Sequence, residues 1–196
     1  RRADLLGVRP VTYISRDAWG AAAPTKTRPV SKMLKGVCLH WMGFEVHGDA
    51  KRLVLSIQNN HMDPPKGWWD VAYNELISQK GEVLEGRGLT TRSGAQGSTR
   101  HNKGYIALGL LIGPDQSPTP QMIEAVKERI AVVRFFQPHA TEIVGHLDLK
   151  PTTCPGPEVY RLMKAGVFEP NAEVEQTLEQ RVEALEAEVE AINARH

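Results

Sequence analysis

Two short apolar runs, GVCLHWMG (36–43) and GYIALGLLIG (104–113), constrain the fold more than anything else in the chain. Each is bounded by glycine, is short for a helix and is too apolar for a half-solvated face, so each reads as a buried strand. The intervening segments have a different period. DAKRLVLSIQNNHM (49–62) opens on Asp49 as an N-cap and repeats Leu53, Ile57 and His61 at helical spacing. TPQMIEAVKERIAVVRFFQ (119–137) has Thr119 at the cap and Pro120 in the first turn, and PGPEVYRLMKAG (155–166) starts with prolines and stops at glycine. DVAYNELISQKGEVLEGRG (70–88) alternates and turns at Lys80-Gly81 as a β-hairpin, while TEIVGH (141–146) is a final short strand. MDPPKGWW (62–69) is a loop. Strands alternating with helices, plus one hairpin, predict an α/β domain: a mixed central β-sheet flanked by helices. Residues 1–35 lack periodicity and read as an N-terminal arm anchored by SRDAWG (15–20).

The tail differs. Leu178, Val182, Leu185, Val189 and Ile192 follow one another at spacings of 4, 3, 4 and 3, a heptad seam with Val at a and mostly Leu at d. Residues 171–196 hold seven Glu against two Arg, so the net charge of +1 conceals −5 in the tail and +6 in residues 1–170. The expected division is a domain over 1–168 and an acidic, coiled-coil-like helix over 169–196. With barely two and a half heptads, that helix reads either as the seam of a weak homodimer or as a linker packing on its own domain. The basic body suits an anionic polymer. No run approaches a membrane span and no signal-peptide pattern opens the chain. The first residue is Arg rather than Met, which reads as a processed or excised piece.

The candidate chemistry lies in EIVGHLDLKPTTCPG (142–156), where His146 and Cys154 bracket a turn. His40, at the C-terminal end of the first buried strand, is where a sheet presents residues to a cleft. His40, His146 and Cys154 form a two-nitrogen, one-sulfur set that suits Zn²⁺ and leaves one position open. Cys38 points to the same face as His40 but lies deeper in the apolar run, as a buried core residue. His61 reads as a half-buried structural histidine, and His47, His101, His139 and His196 as surface imidazoles.

The ordered blocks VCLHWMG, GWWDVAYNELI, GEVLEGRG, ALGLLIG and GHLDLKPTTCPG resemble the zinc-dependent N-acetylmuramoyl-L-alanine amidases of type 2, relatives of phage endolysins and peptidoglycan recognition proteins. The resemblance spans roughly residues 12–165. It implies zinc held by His40, His146 and Cys154, catalytic roles for Tyr73 and Thr152, and a groove in which Trp41, Trp68, Arg87 and Asn102 meet substrate. Trp68 and Arg87 match positions that go with the carboxylate of meso-diaminopimelate in recognition proteins. The implied reaction cleaves the amide between the lactyl group of N-acetylmuramic acid and L-alanine. The implied partner is bacterial peptidoglycan, with no nucleic acid. The setting is a phage-encoded endolysin catalytic domain released from the host cytoplasm, or a secreted enzyme. Its tail would lead towards a wall-targeting module. Two departures stand out: GAQ (94–96) replaces the usual Gly-Ala-His, and ALGLLIG lacks the carboxylate of some distant amidases. Two rival readings are a non-catalytic recognition module and an assembly protein working through its heptad tail.

Overall fold

The computed structural model describes residues 11–193; the first ten residues of the arm, the Ile192 side chain and His196 lie outside the described residues. Six strands form one sheet: β1 (Tyr13–Ile14), β2 (Gly36–Trp41), β3 (Glu75–Ile77), β4 (Val83–Glu85), β5 (Tyr105–Leu110) and β6 (Glu142–Gly145), in the order β1-β4-β3-β5-β2-β6. β3 and β4 are the expected antiparallel hairpin, though each strand is only three residues long; every other pairing is parallel. The arm is less irregular than its sequence, since β1 joins the sheet edge and Arg16–Trp19 form a short helix, α1.

Two helices close the sheet from opposite sides. α2 (Ala50–Met62) begins where Asp49 accepts the Arg52 N–H at 2.9 Å, and α4 (Pro120–Phe136) where Thr119 Oγ1 accepts the Met122 N–H at 3.2 Å. α4 buries Met122, Val126, Ile130 and Val133 against Val37, Leu39, Ile106 and Leu108 of the two central strands. The second core, on the α2 side, gathers Val54, Ile57, Val71, Leu76 and Leu84.

The alternation of β2 and β5 decides where a cleft can form. Val37, Leu39, Ile106, Leu108 and Leu110 fill the α4 face. The other face receives Cys38, His40, Ala107 and Gly109, because successive side chains point to opposite sides. The small Cys38, Ala107 and Gly109 let the rings of His40 and Tyr73 pack over the sheet centre, and α3 (Thr99–Gly104), α5 (His146–Leu149) and α6 (Pro157–Lys164) are short pieces at the strand ends.

The tail is one helix, α7 (Ala172–Asn193). Its first turns pack on α4: Val174 is buried, and Arg181 meets Glu128 at 3.1 Å. Further along the seam, Leu178 and Val182 are half-buried, whereas Leu185 and Val189 are 60% and 55% exposed. The near half of the helix therefore uses the body as its partner, and further along Leu185 and Val189 face solvent.

Candidate metal centre

β2 delivers His40 to its C-terminal end, and β6 stops at Gly145 so that His146 opens α5. The sequence reading ends a strand at His146; the helix arises because Asp148 Oδ2 accepts the Gly145 N–H at 2.8 Å and closes the first turn. Cys154 sits in the turn before α6, and its carbonyl accepts the Leu147 N–H at 2.8 Å. One donor atom from each of His40, His146 and Cys154 lies within 4.8 Å of the others, with Cys154 Sγ 3.5 Å from His40 Nδ1.

These donors fit a soft divalent cation. The Nε2 atoms of His40 and His146 are buried and have no hydrogen-bond partner, a condition rare for polar atoms without a missing ligand. Burial, with His146 adding, holds His40 well below the usual histidine range; burial, with Lys150 adding, lowers His146. Both rings are therefore neutral, as ligation requires. Burial pushes the Cys154 thiol up to about 11, against a smaller opposing effect of the Trp41 N–H, which points at the sulfur from 3.5 Å. A thiolate here needs a cation beside it. Cys38, fully buried and unpaired, is core.

Tyr73 stands beside this cluster, its ring 5.4 Å from His40. It is not on a strand, as the alternation implies, but in the segment just before β3. Asn74 holds that segment: its backbone and side chain both bond Ala107, at 2.9 and 2.8 Å, while its amide donates to Gly88 and Thr91 carbonyls. Gly109 makes room, since a Cβ there would lie 3.0 Å from the Tyr73 ring. Thr152 is exposed, and its hydroxyl oxygen accepts the Cys154 N–H at 3.3 Å, which leaves the O–H free to donate. Trp41 is half-buried, with its indole against Gly156; a Cβ at that position would come within 2.4 Å of the ring, so the turn after Cys154 needs glycine.

Aromatic rings connect the cluster to a second place. Tyr73 lies 6.2 Å from His61, and His61 lies 4.7 Å from Trp68. His61 Nδ1 accepts the Ala72 N–H at 3.1 Å, so its neutral form carries the proton on Nε2. The histidine read as structural is thus also part of this wall. Trp68, Arg87 and Asn102 line one cavity of about 220 Å³. Arg87 donates to the Val71, Arg92 and Asp70 carbonyls at 2.6, 3.0 and 3.3 Å, and Asn102 Oδ1 accepts the Gln96 N–H at 2.8 Å. Gln96, the departure noted in GAQ, is fully buried, bonding Ser93 and the Tyr105 carbonyl. A roomier cavity of about 470 Å³, beside Ile106 and Val133 on the α4 side, holds none of the metal donors.

Sequence reasoning misses the brace behind this cavity. Asp70, 2% exposed, meets Arg16 at 3.0 Å and accepts from Gln58 Nε2 at 2.7 Å; Gln58, fully buried, also exchanges two bonds with Ala22. The arm, α2 and the Trp68–Tyr73 segment are thereby tied together. A charged residue inside the apolar GWWDVAY block is the one local signal of it.

The sequence model of the N-acetylmuramoyl-L-alanine amidase family matches residues 29–157. Peptidoglycan recognition protein 1 of Bos indicus is 29% identical over 161 residues, covering 78% of this chain and 83% of the relative. Peptidoglycan-recognition protein SC2 of Drosophila simulans is 32% identical over 156 residues, covering 76% and 83%. Among solved structures, wild-type Drosophila PGRP-LB superposes with a TM-score of 0.73 at 22% identity, over 83% of this chain and 98% of that one. Peptidoglycan recognition protein-LE, solved with tracheal cytotoxin (monomeric diaminopimelic acid-type peptidoglycan), gives 0.72 at 23% identity, covering 83% and 98%. The structural likenesses share the mixed sheet and its flanking helices.

Proposed function

The chain belongs to the N-acetylmuramoyl-L-alanine amidase family, and from that premise we propose that it is a zinc-dependent peptidoglycan hydrolase cleaving the amide between the lactyl group of N-acetylmuramic acid and L-alanine. The observation that carries this reading is the convergence of His40, His146 and Cys154, with two orphaned ring nitrogens, at the open end of the sheet. A recognition module that only holds the wall has no use for a third, thiol donor beside two neutral imidazoles.

His40, His146 and Cys154 would hold the ion, two neutral rings and one thiolate leaving it a net charge of +1. When bound, zinc supplies Lewis-acid polarisation of a carbonyl and a lowered pKa for water. The protein's own groups do the rest. Tyr73, whose phenol burial pushes far above its ordinary range, stays protonated and can donate a hydrogen bond to the developing oxyanion. The free O–H of Thr152, two residues before Cys154, is a second donor. His61, neutral with its proton on Nε2, offers a donor between Tyr73 and Trp68, where the stem peptide would run. Trp68 gives that peptide an apolar wall. Arg87 keeps two of its five N–H groups for the diaminopimelate carboxylate, and Asn102 keeps its amide N–H₂ for the same cavity. No helix among the described residues is long and apolar enough to cross a membrane. Under this reading the chain works on the bacterial wall, as a secreted enzyme or as the catalytic domain of an endolysin.

Digestion of purified peptidoglycan, with and without a chelator, tests the proposal. Free L-alanine amino termini that vanish on chelation and return with Zn²⁺ are expected. Termini of any other residue, or release that ignores the chelator, would sink it.

A further inference from the structure

The cavity beside Trp68 carries more positive charge than one carboxylate calls for. Two guanidinium groups, Arg87 and Arg92, line it together with Trp69, and no acidic residue does. Arg87 is tied by three carbonyls and faces the cavity with its remaining donors. Arg92 lies over Trp69, its Cζ 5.4 Å from the ring centroid, and has no ion-pair partner among the described residues. Trp69 is itself fixed, because its carbonyl accepts both the N–H and the hydroxyl of Thr25, at 2.9 and 3.4 Å. A further cation, Lys26, sits 4.9 Å from the same indole. The carboxylate behind the cavity, Asp70, already faces Arg16 at 3.0 Å. Two like charges at one wall repel each other. Asp70, behind the backbone to which Arg87 is tied, and the Trp69 ring already offset part of that repulsion, and a bound anion relieves it further.

We propose that this cavity is a diacid subsite, in which Arg87 takes one carboxylate and Arg92 a second. The fitting ligand is a stem peptide ending at its diaminopimelate residue with both carboxylates free. The assignment rests on the peptidoglycan reading given above and adds a preference for trimmed stems. The planar fork of each guanidinium suits a carboxylate, and the indole under Arg92 limits the orientations that fork can take. A stem extended or amidated at the terminal carboxylate removes the partner of Arg92 while leaving that of Arg87.

Two muramoyl tripeptides test this directly, one ending in the free diacid and one carrying a carboxamide in place of the terminal carboxylate alone. The free acid should be hydrolysed with kcat/KM about tenfold higher, mostly through KM, as loss of one charge-assisted contact implies. Arg92→Gln should bring the ratio of the two substrates near one, and Arg92→Lys, which keeps the charge, should retain most of it. Equal kcat/KM in the unaltered protein, or a ratio that survives Arg92→Gln, overturns the subsite. If neither compound is cut, calorimetry with the same pair separates the two ideas. A tenfold difference in Kd upholds the subsite and removes the amidase reading, whereas equal Kd values remove the subsite.

Discussion

The metal cluster and the Trp68 cavity are neighbours built in opposite ways. At the cluster, His40 and His146 leave the ends of β2 and β6, and their buried nitrogens lack partners. At the cavity, side chains come from loops and from the short helix α3, and Arg87, Asn102 and Asp70 are already bonded to other parts of the chain. One region has strand-borne rigidity and unfilled valence; the other has irregular connections held by polar cross-ties. Under the proposed function chemistry needs the first, since reacting atoms tolerate little displacement. Selection among stems can use the second, where a loop residue can change without disturbing the sheet.

Breaking the first region should have the larger effect. Cys154→Ser removes the thiolate, and activity on peptidoglycan is expected to fall by at least about a hundredfold, read from released amino termini together with zinc content. Next comes Gly109→Ala, which places a methyl 3.0 Å from the Tyr73 ring. The ring must give by a few tenths of an ångström, and kcat should drop by roughly tenfold while the metal stays bound; an unchanged kcat would count against a role for Tyr73 in the reaction.

The second region should fail through stability and binding. Asp70→Asn leaves Arg16 without its carboxylate at a largely buried site, which costs about 3 kcal/mol. For a chain of this size that is roughly 6–12 °C in Tm, with zinc content unaffected. The smallest effect is one of pH. Burial, with Lys66 and Arg87 adding, lowers the His61 pKa from 6.5 to about 4. Between those values the unfolded chain takes up a proton that the folded chain refuses. The stability this histidine contributes is therefore complete above pH 6.5 and is lost as pH falls through 4. With discount for its partial exposure the change is about 1–2 kcal/mol, and urea titrations of His61→Gln should lack it.

The same contrast explains what could be read from the chain alone. His40 was legible because a strand end is a local pattern, and the two long helices because Asp49 and Thr119 are local caps. His146 and Cys154 were legible as a bracketed turn, although α5 between them is too short to leave a period. The hairpin turn at Lys80-Gly81 stands, with shorter strands than the alternation implied, and Tyr73 falls just outside them. The cavity was less legible. Nothing local says that Arg16 meets Asp70 across 54 positions, that Gln96 turns inward, or that three Arg87 donors are committed to carbonyls. Long-range polar pairing leaves no periodicity behind. The tail shows a third case: a regular seam whose first turns pack on α4, while Leu185 and Val189 remain exposed.

Under the proposed function, one zinc ion at His40, His146 and Cys154 makes this chain an amidase. Titrating chelator-stripped protein with Zn²⁺, while counting released L-alanine amino termini, tests it most directly. Activity should rise in proportion to bound zinc and level off at one ion per chain, with no rise in Cys154→Ser. Full activity in the stripped protein, or a zinc-dependent rise in Cys154→Ser equal to that of the unaltered chain, would contradict it.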